Sequence, residues 1–186
     1  MAEELLVRHA APTLAGLKAG NLISCRTSDG LHLMQQIQSW NQILNGKGVV
    51  ITILSVRDNL YLLYVHRPNL VTKHLQQQES LRILCPLGYA DCPVQEAILH
   101  LQERLAQQSD FPHEIGLFLG YPIQDVEAFI QQNGCNGLYD GCWKVYTDLA
   151  QAQQTFARYK KCTRLYLEQY RKGKKLEELT VQRKHI

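Results

Sequence analysis

Two runs of apolar, strand-forming residues constrain this chain more tightly than anything else in it. VVITILSV (49–56) and LYLLYVH (60–66) are rich in β-branched and aromatic side chains. Only Arg57, Asp58 and Asn59 separate them, and a short polar break between two such runs predicts an antiparallel hairpin. A chain that must bury a hairpin of this length needs further elements to cover it. The flanking sequence supplies them in alternation.

Residues 3–10 read as a short helix that ends at Pro12, because a proline disfavours helix in the residue before it. NLISCRT (21–27) alternates as a strand. In LHLMQQIQSWNQIL (31–44), Leu33, Ile37, Trp40 and Leu44 recur at helical spacing, and NGKG stops the pattern. A helix is expected over about 70–84. Another is expected from DCPVQEAILHLQERLAQ (91–107), with Pro93 at its first helical position and Val94, Ile98, Leu101 and Leu105 as its inner stripe.

IGLFLG (115–120) is almost wholly apolar and reads as a short central strand covered on both faces. Pro122 then opens a helix bearing Ile123, Val126 and Ile130, which Asn133-Gly134 closes. CWKVYT (142–147) reads as the last strand. Asp148 caps a long helix to about Lys172, with Gln151 placed as in a capping box.

The expected fold is α/β. A single domain over 1–172 holds a mixed sheet of about five strands with helices on both faces. It includes the hairpin and one strand–helix–strand unit over 115–147. Residues 173–186 follow as a basic C-terminal extension.

Composition narrows the setting. A chain of 186 residues with 45% hydrophobic content supports a self-sufficient core. No run approaches the roughly 18 apolar residues of a membrane-spanning helix, and MAEELLVRHAAP lacks the layout of a secretory leader. The expectation is a cytoplasmic protein without membrane contact, its six cysteines reduced. From Lys160 onward nine Lys and Arg stand against three Glu. Interleaved glutamates favour a solvated helix over a nucleic-acid surface, so nucleic acid is not the expected partner. Nothing in the sequence fixes an oligomeric state.

Candidate chemistry concentrates in a few places. His113 beside Glu114 offers an acid/base or orienting pair, although no second histidine completes a metalloprotease motif. If 113–120 is extended, His113 and Gly120 lie about 23 Å apart at about 3.3 Å per residue. His113 and Glu114 then share a sheet edge with the 135–143 loop, and Tyr121 and Asp125 fall at the opposite edge. Pro122, Asp125 and Glu127 make the start of that helix a poor phosphate site.

Cys85, Cys92, Cys135 and Cys142 fall in two C-x6-C stretches, a wider spacing than structural zinc sites use, so no metal is assigned. Cys92, at the expected helix N-cap, is the candidate reactive thiol. Near the start, His9, Thr13 and Lys18 occupy loop-like surroundings before the first strand. The sequence carries no phosphate loop, dinucleotide fingerprint or nucleophile elbow, and no tightly held cofactor is expected.

Two stretches, HAAPTLAGLKAGNL (9–22) and FPHEIGLFLGYPIQDVEAFI (111–130) with CWKVYTD beyond it, resemble a bacterial family. It is the domain of unknown function 3793, found mostly in anaerobic Firmicutes. The resemblance runs nearly end to end. It implies that His9, Pro12, Thr13, Lys18, His113, Glu114, Gly116, Gly120, Tyr121, Pro122, Asp125, Trp143, Lys144 and Tyr146 match the family's motif. It implies no reaction. The position of Cys142 is often aromatic in that pattern, which counts against a four-thiolate site.

In that family pattern polar residues such as His9, Lys18, His113, Glu114 and Lys144 stand beside structural Gly and Pro, and the resemblance therefore implies, by analogy, a cleft that binds a small molecule. His113, Glu114 and His9 are the candidate catalytic groups, and Lys18, Thr13, Lys144 and Tyr121 the candidate ligand contacts. An enzyme would hold His113 within hydrogen-bond reach of Glu114 or His9. The alternatives are a metal or thiol-redox protein linked to iron handling, and an adaptor or nucleic-acid module working through the basic C-terminal helix.

Overall fold

The computed structural model describes residues 2–89, 92–107 and 111–182. Asp91, at the head of one expected helix, and the last four residues of the basic extension lie outside the described residues. Among the described residues there are five strands, and the fold is mixed α/β. The strands form a three-stranded antiparallel sheet and a separate two-stranded one, where a single mixed sheet is the sequence expectation. By internal packing the chain divides into two compact units, residues 1–69 with 162–186, and residues 70–161.

The first unit is built on the hairpin. Strands β2 (Val50–Arg57) and β3 (Leu60–His66) pair antiparallel. Asp58 and Asn59 turn the chain with φ of 48° and 62°. Positive φ at both central residues is what a two-residue hairpin matched to strand twist requires, and Asp and Asn tolerate it best among non-glycine residues. Leu54 is the extra residue of a bulge in β2. Strand β1 (Gly20–Arg26) pairs with the other side of β3, giving the order β1-β3-β2.

One face of this sheet, carrying Ile23, Ile51, Tyr61, Leu63 and Val65, packs against three helices. They are α1 (Ala2–Leu14), α2 (Gly30–Leu44) and, from the C-terminal segment, α9 (Leu176–Leu179). Leu33, Ile37, Trp40 and Leu44 of α2 are all buried there, as their spacing predicts. Leu176 and Leu179 join the same core, so the basic extension contributes apolar anchors as well as charge.

Helix α1 runs through Pro12 to Leu14 and does not end before it. Burial of Ala10, Ala11 and Leu14 outweighs the hydrogen bond a proline cannot donate. Arg67 takes up the carbonyls freed at this helix end. Its guanidinium, 1% exposed, donates to the carbonyl oxygens of Thr13 at 2.7 Å, Leu14 at 2.7 Å, Lys47 at 3.1 Å and Val181 at 2.7 Å.

The second unit is mainly helical. The helix expected over 70–84 is two helices, α3 (Pro68–Leu75) and α4 (Gln78–Leu84), broken where Gln77 turns extended with ψ of 141°. The carbonyl of His74 accepts from Ser80 Oγ at 2.7 Å, a local bond that stabilises the break. Helix α5 (Val94–Gln107) buries its predicted stripe.

The chief correction concerns IGLFLG. Ile115–Phe118 is a single helical turn, α6, and no strand–helix–strand unit exists over 115–147. The backbone amides of Gly116 and Leu117 donate to the carbonyls of His113 and Glu114. Gly120, at φ 73°, closes the turn as its amide bonds the Leu117 carbonyl. Helix α7 (Ile123–Gln131) follows. CWKVYT contributes only Lys144–Val145 (β5), paired with Tyr139–Asp140 (β4) in a small hairpin. Helix α8 (Leu149–Arg171) starts where Asp148 accepts the Gln151 amide at 2.9 Å, as its capping position predicts.

Candidate functional site

Replacing an extended segment by a helical turn changes which residues meet. A helix advances about 1.5 Å per residue, against about 3.3 Å for a strand. His113 and Tyr121, expected at opposite edges, line the same pocket. Its volume is about 200 Å³. Four aromatic rings besides His113, from Phe111, Tyr121, Phe129 and Trp143, supply most of its wall, and Lys144 brings an ammonium group.

Each wall has a structural cause. Gly116 lets α6 lie against α7, because a Cβ there would sit 2.8 Å from Val126 Cγ2 and 3.3 Å from Tyr121 Cδ2. The His113 ring meets Phe129 edge to face, with centroids 5.0 Å apart. Tyr121 and Trp143 lie 5.3 Å apart, and Trp143 packs on Phe156 of α8 at 4.5 Å. Gly137 gives the Lys144 stem its bed, since a Cβ there would meet Lys144 Cγ at 2.5 Å. The Lys144 ammonium lies 3.3 Å from the exposed Asp140 carboxylate, a pair worth little in water.

Asp125 holds this arrangement in place. It is 2% exposed. One oxygen accepts from Trp143 Nε1 at 2.7 Å. The other accepts from the amides of Tyr146 and Thr147 and from Thr147 Oγ1, each at 2.9 Å. These amides would serve a longer β5, which is why CWKVYT does not continue as a strand. The Tyr121 carbonyl also meets His74 Nε2 at 2.9 Å, and burial lowers the pKa of that imidazole. Burial, with the nearby Cys142 and Tyr159, raises the Tyr121 hydroxyl well above its ordinary value.

Glu114 faces away from its sequence neighbour. Its carboxylate accepts from Arg104 Nε and from the Tyr89 hydroxyl, the latter at 3.0 Å, in a buried ion pair on α5. Among the described residues no hydrogen bond joins His113 to Glu114. His9 lies exposed on α1 in the first unit. Thr13 is buried there, donating to Asn21 Oδ1 at 2.8 Å. Lys18 is 6% exposed, its amide bonded to the Pro12 carbonyl.

Cys92 stands one residue outside the α5 cap, because the Pro93 carbonyl accepts the first helical bonds, from Glu96 and Ala97. Among the described residues no three His, Cys, Asp or Glu side chains are placed to share a metal ion. Phe111 and Phe129, absent from the sequence candidates, become pocket walls, as does Trp143. Their signal is the recurrence of aromatic residues along the 111–143 segment, at 111, 121, 129 and 143.

The family model described as Protein of unknown function (DUF3793) matches residues 6–180. The chain belongs to this family. No curated protein and no solved structure gives a significant match. Six residues that carry the DUF3793 resemblance, His113, Gly116, Tyr121, Asp125, Trp143 and Lys144, line the one pocket.

Proposed function

We propose that this DUF3793 protein binds a small, flat molecule in the aromatic pocket of residues 70–161, with an acceptor group of the ligand turned to Lys144. The observation that carries this reading is the lining itself. Aromatic side chains give apolar area with few rotors to immobilise, and a single ammonium group gives orientation. Lys144 and Tyr121 keep their place as ligand contacts in this proposal, and His113 serves as a wall that can donate or accept a hydrogen bond. Glu114 acts at one remove, by fixing the backbone that carries His113.

Benzoate and benzamide are suitable first probes. Saturation-transfer NMR should show benzoate in contact with the protein, with an affinity on the order of millimolar for so few atoms. Lys144→Met should weaken benzoate about fivefold, the worth of a half-exposed charged contact, and leave benzamide nearly unchanged. Absence of transfer to benzoate, or equal binding by the Lys144→Met variant, would sink the reading. No described helix is long and apolar enough to cross a membrane.

A further inference from the structure

A second cavity, about 500 Å³, lies along the first three turns of α8. It shares Asp125 and Trp143 with the aromatic pocket, so the two meet at a wall that the Asp125–Trp143 hydrogen bond holds fixed. Their linings differ in kind. Where the first is aromatic, the second presents the amides of Gln124 and Gln151, the hydroxyl of Thr155 and the guanidinium of Arg158. Gln151, Thr155 and Arg158 follow at helical spacing and so occupy one face of α8. Among the described residues no hydrogen bond or ion pair engages the side chains of Gln124, Gln151 or Arg158.

The charges decide what such a cleft accepts. Among the described residues Arg158 is the single cation that lines it, beside two carboxylates, Asp125 and Asp148. The net charge is therefore negative, which opposes a phosphate or carboxylate. Amides, a guanidinium and the second oxygen of Asp148 together offer paired donors and acceptors, the chemistry that neighbouring hydroxyl groups require. Trp143 adds an apolar face beside them. A hydroxylated, uncharged group fits this lining, and a flat ring with an acceptor edge fits the adjoining pocket.

We infer that the ligand is a nucleoside, its base in the aromatic pocket against Lys144 and its pentose in the α8 cleft against Gln151 and Arg158. This inference rests on the aromatic pocket being a ligand site. The test is calorimetric titration of the full chain with adenosine, guanosine, cytidine and uridine, with their free bases, and with the 5′-monophosphates. At least one nucleoside should bind tenfold or more tightly than its own base, and its monophosphate should bind more weakly than the nucleoside.

Gln151→Ala and Arg158→Ala change exposed positions of α8. Each should bring the nucleoside close to the affinity of the base and leave the base unchanged. The inference is overturned if no nucleoside exceeds its base, if the monophosphate binds tightest, or if both variants retain the nucleoside preference. Benzoate binding separates the two levels: benzoate without nucleoside removes only this inference, and loss of both removes the pocket reading with it.

Discussion

His66 shows how one buried side chain makes stability depend on pH. Its ring, 2% exposed, stacks on Tyr64 with centroids 4.3 Å apart. Burial lowers its pKa from 6.5 to about 4, against a smaller opposing effect of the Tyr64 carbonyl. Between those values the unfolded imidazole takes up a proton that the folded one refuses. Its neutral form therefore costs nothing above about pH 6.5, and stability falls as pH drops toward 4, by roughly 3 kcal/mol in all. Urea unfolding from pH 7 to 4 should show this fall, and His66→Gln should make the slope shallower by nearly one proton. An unchanged slope would assign the effect elsewhere. At this scale the sequence was only partly legible. Asp125 was visible as a helix-start acid, but its four donors come from residues 18 to 22 positions later, which no local pattern announces. Glu114 was visible beside His113, but Arg104 and Tyr89 draw its carboxylate the other way.

Among the elements, legibility followed length. The hairpin is marked by two long β-branched and aromatic runs and α2 by an apolar stripe at helical spacing, and both form where these patterns place them. Four apolar residues carry no period, so Ile115–Phe118 could satisfy a strand or a helical turn equally well. What selects the turn is the fit of α6 on α7 through Gly116. Gly116→Ala should therefore cost about 1–3 kcal/mol through overpacking against Val126, seen as a lowered urea midpoint. It should also narrow the aromatic pocket and weaken benzoate. A neutral effect would mean that α6 moves freely against α7. The Gln77 break between α3 and α4 has no glycine or proline to signal it, because Ser80 makes the alternative bond from two turns' distance.

For the whole molecule, the unit built from residues 1–69 with 162–186 depends on its last segment. Removing residues 173–186 takes Leu176 and Leu179 out of the core and the Val181 carbonyl from Arg67. Two buried leucines are worth about 1.5–3 kcal/mol each, a large share of the 5–15 kcal/mol of a typical domain. In a Trp143→Phe background the fluorescence of Trp40 reports on this unit, and the truncated chain should lose its cooperative transition or show it at much lower urea. A transition at the original midpoint would show α9 to be dispensable.

The bond from Arg67 to Val181 spans 114 residues of sequence. As the chain is synthesised, Arg67 and the three strands leave the ribosome well before Leu176, Leu179 and Val181. At about 5–20 residues per second the wait is on the order of ten seconds. Throughout that interval α1 and α2 are already available to cover the sheet, but the places that Leu176 and Leu179 fill in the core stay open, so the unit is completed only when the end of the chain arrives.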